Sequence, residues 1–268
     1  IQINLLVDTI FASLLETGSP TWLYVSDRLV QFPLGIFAIA IGTVLLPTLS
    51  KLDANKERIA FNNTIKKGQR FVLFIGVPSL IGLMFCAEDL ISTIFYRGAF
   101  TEVDVFNSSM SLMAFSMGLP FFMLMKVLTP AFFARKDTKT PMFVAIISLV
   151  LNASLNYLLA FVLNFGHVGI AIGSSVAALI SVLILEGILY KDGFIKIHGV
   201  INRFNIMILF SSIALIIFLY FFTSMTNFMN FNQPQRFLFL TIEIIISIAI
   251  YFSVSKLIYQ KSLKNLFN

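Results

Sequence analysis

Asp27 and Arg28 stand side by side within the apolar run TWLYVSDRLVQFPLGIFAIAIGTVLLPTL. An Arg at the centre of a membrane-spanning helix costs about 2.5–3.5 kcal/mol on insertion scales, so a buried one needs a partner or a wet cavity. At helical spacing Asp27 shares a face with Gln31, and Tyr24 with Arg28. Four polar-capable side chains therefore cover one sector of a single helix. Two kinds of chemistry fit. One is an internal ion pair that locks helices together. The other is an anion site in a water-filled cavity, with Asp27 holding Arg28 in place between substrates. The planar guanidinium fork donates two parallel hydrogen bonds and suits phosphate in particular.

A second set of polar residues lies in other apolar stretches. Asp8 sits in the first, Asn152 and Asn156 share a helical face in LVLNASLNYLLA, and Ser174 lies early in the next. Polar residues at membrane depth face the bundle interior. Their carboxylate, amide and hydroxyl oxygens suit a hard cation such as sodium, and they equally suit interhelical hydrogen bonding. Little else in the chain offers chemistry. Cys86 is the one cysteine, in an apolar helix, and His167 and His198 stand apart in loops. No metal-ligand spacing, phosphate-cradling Gly-rich loop or nucleophile triad appears. A membrane transferase acting on polyprenyl phosphates would need clustered carboxylates for Mg²⁺; Glu88–Asp89 is the only adjacent acidic pair.

The elements that position these residues follow from composition. The chain of 268 residues is 58% hydrophobic and 12% charged, against about 25% charged in soluble domains. Its apolar residues come in blocks near the 20 residues that a bilayer crossing requires. The expected fold is all-α, a polytopic helical bundle of about eight spans at 1–16, 21–49, 71–95, 105–133, 141–164, 168–190, 205–224 and 236–258. The first is too short to cross, opens in mid-pattern and lacks a signal peptide's basic flank. The expectation is a C-terminal portion of a larger protein. Gly18, Ser19 and Pro20 predict a tight turn into span two. The stretch 52–70 reads either as an amphipathic surface helix or as a solvated loop. Gly169 and Gly173 form GxxxG, a close-packing signal. Of the last two helices, IMILFSSIALIIFLYFF carries no charge and LFLTIEIIISIAIYF carries only Glu243.

The net charge of +6 alternates along the chain. Lys51, Lys56, Arg58, Lys66, Lys67 and Arg70 fall in one interval; Arg135, Lys136 and Lys139 in a later one. Lys191, Lys196 and Arg203 follow, and Lys256, Lys261 and Lys264 close the chain. By the positive-inside rule these face the cytoplasm, and the turns near Gly18, Arg97, Asn164 and Asn227 face out. No basic surface with aromatic platforms is present, which argues against nucleic acid as a partner.

Several stretches resemble the MurJ (MviN) family of lipid II flippases, within the multidrug, oligosaccharidyl-lipid and polysaccharide exporters. YVSDRLVQFPLGIFAIAIGTVLLPTLSK is similar to the family's eighth helix, NLLVDTIFAS to its seventh, YRGAFTEVD to its outer turn after the ninth, and PAFFARKDTKTP to its cytoplasmic turn between the tenth and eleventh. The resemblance implies helices seven to fourteen of a fourteen-helix, two-lobed protein of the bacterial inner membrane, with a six-helix lobe over 1–190 and two additional helices over 191–268. It implies a transporter rather than an enzyme, moving undecaprenyl-pyrophosphate-linked peptidoglycan precursor (lipid II) outward by alternating access. Lipid II, membrane lipids and an N-terminal lobe would be its partners, and a polysaccharide or drug exporter of the same fold is the alternative. Arg28 matches a cavity arginine thought to bind the pyrophosphate, and Asp27 matches its neighbour; Gln31 stands where several relatives carry Glu. Some relatives hold sodium at places matching Asp8, Asn152, Asn156 and Ser174, with the Ile170 carbonyl one turn before Ser174 as a further ligand. Beyond that ion no cofactor is expected, and the final two helices would form a groove for lipid tails.

Overall fold

The computed structural model describes residues 2–194, 202–226 and 228–258, which form helices without strands. Lys196, His198, Asn227, Lys261 and Lys264 lie outside the described residues. Helix α1 spans Gln2–Ser13. At Gly18 the chain takes φ +107°, and a Cβ there would stand 2.6 Å from the Trp22 ring. Helix α2, Ser19–Pro33, then begins with Pro20 in its first turn, where a missing N–H costs nothing. Pro33 leads into a π-helical segment at Leu34–Ala38, followed by α3, Ile39–Ala54. The arms of this pair are bent by 42°.

Helix α4 runs without interruption from Arg58 to Phe85. The stretch 58–70 is therefore not a loop; it is the basic N-terminal part of α4, continuous with the apolar run beyond Arg70. Phe61 and Ile65, one turn apart, are fully buried, while Ile59 is 81% exposed. The expected span 71–95 is also divided. Cys86 ends α4, and a separate short helix, α5, covers Ala87–Phe95. The run LMFCAEDLI holds no Gly or Pro, so the break carries no punctuation in the sequence.

The remaining spans fall where hydropathy puts them: α6 at Glu102–Ala134, α7 at Lys139–Tyr157 with a π-helical end at Leu158–Val162, α8 at Gly166–Lys191, α9 at Arg203–Met225 and α10 at Gln233–Ile258. Six described helices are long and apolar enough to cross a membrane, or seven with the bent α2–α3 pair; α1 is shorter. The chain is a multi-pass membrane protein.

Helix α6 is the axis. It packs against α2, α3, α4, α5 and α8, and its Leu112, Leu119, Met123, Leu128 and Phe132 are fully buried. Lipid is as apolar as leucine, so helices associate in membranes by close packing and hydroxyl bonds rather than by expelling water. Both devices are present. A Cβ on Gly76 of α4 would sit 3.4 Å from the Pro120 Cα of α6. The Ser26 hydroxyl of α2 donates to the Ser108 carbonyl at 2.7 Å, and Ser175 of α8 donates to the Ala114 carbonyl at 2.9 Å. Helices α9 and α10 pack on each other and dock on α4 around Phe74, Met207, Leu215, Leu219 and Tyr251, with α10 also meeting α5.

Candidate functional site

One face of α2 is committed to the bundle: Trp22, Leu23, Val25, Ser26 and Val30 are buried. Trp22 Nε1 donates to Asp104 Oδ1 at 2.8 Å, and Asp104 in turn closes a capping box with Thr101 at the start of α6. These contacts fix the rotation of α2. They leave Tyr24, Arg28 and Gln31 exposed in this chain and Asp27 half-buried, all on one side. The Arg28 guanidinium lies over the Tyr24 ring, 4.8 Å from its centroid. Such a contact holds an arginine without using its hydrogen bonds.

Asp27 makes no direct bond to Arg28. No ion pair within 4.0 Å joins them, and among the described residues the only salt bridge is Arg135–Asp192 at 3.0 Å. Asp27 instead accepts a hydrogen bond from the Gln31 side-chain amide one turn on. The physical reason is direction: adjacent residues on a helix point about 100° apart, whereas i and i+4 lie together. The four side chains thus form two couples, Asp27 with Gln31 and Tyr24 with Arg28, and Arg28 stands within electrostatic reach of Asp27 without bonding to it directly.

The second set comes together from three helices. Asn156 Nδ2 of α7 donates to Asp8 Oδ1 of α1 at 2.6 Å and to Asn152 Oδ1 at 3.3 Å. Ser174 Oγ of α8 donates to Asp8 Oδ2 at 3.0 Å, and Asn152 Nδ2 donates back to Ser174 Oγ at 2.9 Å. Asn152 and Asn156 are fully buried; Asp8 and Ser174 are half-buried. Ile170 lies one turn before Ser174 and is fully buried. Asn156 Oδ1 is buried with no partner. The GxxxG pair makes the cluster possible. A Cβ on Gly173 would fall 2.4 Å from Asn156 Oδ1, and one on Gly169 would fall 2.7 Å from the Leu159 carbonyl carbon.

Other polar contacts were not legible in the sequence. His167 is not a loop residue; it is buried in the first turn of α8, where Ser111 Oγ meets its Nδ1 at 2.7 Å and the Trp22 ring packs edge-on at 4.8 Å. Arg236 is buried at the start of α10, and its Nε donates to the Phe228 carbonyl at 2.8 Å.

The family model described as lipid II flippase MurJ matches residues 1–239. The chain belongs to the lipid II flippase MurJ family. The probable lipid II flippase MurJ of Vibrio cholerae is 46% identical over 192 residues, covering 72% of this chain and 36% of that protein. A solved structure of lipid II flippase MurJ in an inward closed conformation superposes with TM-score 0.78 at 30% identity, over 97% of this chain and 51% of that one. An outward-facing multidrug resistance MATE family transporter of the MOP superfamily shares the fold at TM-score 0.64 and 16% identity, over 97% of this chain and 61% of its own. The chain therefore spans little more than a third of the curated MurJ relative and about half of the solved MurJ. The resemblance carried by YVSDRLVQFPLG and ARKDTKTP, and the all-α membrane fold, are thereby established; MurJ is a flippase family, not a family of enzymes.

Proposed function

We propose that this chain forms the anion-gripping lobe of a lipid II flippase, which carries the undecaprenyl-pyrophosphate-linked precursor from the inner to the outer leaflet of the bacterial cytoplasmic membrane by alternating access. The observation that carries the reading is Arg28, bonded directly to no carboxylate and held over Tyr24 on the open face of α2. An N-terminal lobe facing that side would close the cavity. There the guanidinium would donate two parallel hydrogen bonds to pyrophosphate oxygens, and the Asp27–Gln31 couple beside it would meet the sugar or its water. The basic helix ends at Arg58–Arg70 and Arg135–Lys139 would lie on the cytoplasmic side, and α9 with α10 would accept lipid tails.

Complementation of a flippase-depleted cell tests this, read together with membrane abundance in the full-length protein. Arg28→Ala is expected to abolish growth at unchanged abundance. Arg28→Lys, which keeps charge but loses the fork, is expected to impair it. A fully active Arg28→Ala protein overturns the reading. Growth rescue by this family fold with drug or polysaccharide export but no flipping of labelled lipid II in vesicles would favour the exporter alternative.

A sodium ion fits the second cluster. The unpartnered Asn156 Oδ1 is buried there, and a flip of that amide would turn an oxygen toward Asp8. One carboxylate, two amide oxygens and a hydroxyl match a monovalent hard cation, with the Ile170 carbonyl as a further donor. Bound sodium would supply the positive charge that offsets Asp8. The same residues, without sodium, tie α1, α7 and α8 together by hydrogen bonds. Sodium is expected to raise the Tm of the wild type and not of Asp8→Ala, since a ligand of the folded state stabilises by RT ln(1 + [L]/Kd); an equal response in both leaves only the hydrogen bonds.

A further inference from the structure

Away from both clusters, two carboxylates are buried where the α9–α10 pair meets the rest of the molecule. Glu243 of α10 is 0% exposed and Asp89 of α5 is 7% exposed. Glu243 Oε1 accepts only from the Cys86 thiol, at 3.1 Å, and a thiol is a weak donor. Glu243 Oε2 and Asp89 Oδ2 are both buried without any partner. Glu243 lies within electrostatic reach of Asp89, and both act on Cys86.

Two buried carboxylates cannot both stay ionised beside each other without compensation. The ionisable groups on the surrounding elements are few. On α5, Glu88 is exposed. On α10, Arg236 holds the Phe228 and Ser92 carbonyls and lies over the Tyr96 ring, 4.8 Å from its centroid. On α6, Glu102 accepts from the Tyr96 hydroxyl, and Asp104 is tied to Trp22 and Thr101. The charges of α4 and α9 lie at Arg58–Arg70 and Arg203, toward the opposite ends of those helices. A metal ion would need several more oxygens than this junction supplies, and no set of three candidate ligands occurs among the described residues. A proton needs none.

We propose that the buried carboxyls of Asp89 and Glu243 form a proton-binding site at the seam between α5 and α10, which holds at least one proton and loses it only when the two helices loosen. The carboxyl that carries the proton is neutral, so the seam no longer buries two charges. Neutral amides imitate the protonated form in shape, so Asp89→Asn with Glu243→Gln preserves the seam while abolishing the site. Stability should fall as pH rises in the native protein, because removing the proton leaves two buried charges, and this alkaline slope should vanish in the double variant.

The experiment uses full-length protein in lipid nanodiscs. The infrared difference spectrum, native minus double variant at neutral pH, should show a protonated carboxyl stretch that shifts in D₂O. Native Tm should drop by about 1 °C or more between neutral and alkaline buffer, what about 1 kcal/mol produces in a protein roughly twice this chain's length, and the double variant should stay level. Absence of the carboxyl band overturns the proposal. So does an alkaline loss of equal size in both proteins. An alkaline loss in the native protein that sodium chloride reverses, with no band, assigns the seam to a metal cation instead.

Discussion

Arg28 illustrates how much depends on which neighbour a side chain faces. Its sequence neighbour Asp27 leans on Gln31, so removing that carboxylate should disturb Arg28 little. Asp27→Ala is expected to complement substantially better than Arg28→Ala, and the reversed pair, Asp27→Arg with Arg28→Asp, should fail to restore growth. The ring beneath the guanidinium matters more. An exposed cation–π contact is worth about 0.5–1 kcal/mol, so Tyr24→Leu should weaken lipid II binding by roughly two- to fivefold while Tyr24→Phe leaves it near native; titration of labelled lipid II into the full-length protein would measure both. At the second cluster the sensitive residue is a glycine. Gly173→Ala would place a methyl 2.4 Å from Asn156 Oδ1, which forces the amide away from Asp8. It should therefore remove any sodium-dependent gain in Tm, as Asp8→Ala does.

At the scale of elements, helix ends and contacts decide what was legible. The spans α6 to α10 could be read because each is a long apolar block. The division at Cys86 could not, because a junction between two apolar helices is set by packing of α5 against α6 and α10 and not by a breaker residue. The stretch 58–70 read as either helix or loop; Phe61 and Ile65 at i, i+4 form the buried stripe that makes it helix. Both clusters were legible as residue types, and the couples of the first, Asp27 with Gln31 and Tyr24 with Arg28, follow from i, i+4 spacing; the bonds that carry Asp8 to Asn156 and Ser174 across three helices do not. The GxxxG signal was sound, and its cost can be stated. Gly169→Ala would press a Cβ to 2.7–2.8 Å of the backbone at Leu159 and Ala160, an overpacking worth about 1–3 kcal/mol, visible as a lower Tm. The turn ARKDTKTP has its own device. Asp137 accepts from the Thr140 N–H at 3.0 Å and from its hydroxyl at 2.7 Å at the start of α7. These bonds, the side-chain one foremost, hold the Asp137 carboxyl below its ordinary value of 3.8. The sign follows: the contribution is complete above about pH 4, the unfolded range, and is lost as pH falls through the lower folded value. Asp137→Asn should therefore flatten the acid limb of stability against pH without changing it at neutral pH by more than about 1 kcal/mol.

For the whole molecule, composition alone named the solvent, and alternation of basic intervals gave an orientation that can be tested. Single cysteines at Lys136 and Arg58, in a Cys86→Ser background, should resist an impermeant thiol reagent in intact cells, and one at Gly98 should react; the reverse pattern would invert the topology. The interior resists such reading because it is built from hydroxyl bonds and glycine contacts between distant segments, as at Ser26–Ser108 and Gly76–Pro120. The bent pair α2–α3 shows what such an interior does mechanically. The first arm is bolted to α6 by Trp22–Asp104 and Ser26–Ser108, while the π-helical segment at Leu34–Ala38 interrupts the regular ladder beyond it. Yet α3 docks on α6 as α2 does, and its Leu45 and Leu49 are buried, so the bend joins two seated arms rather than a seated arm and a free one. At 1.5 Å per residue the 16-residue α3 is about 24 Å long, so any change of ~10° at the bend would carry its far end about 4 Å and would have to slide it along α6.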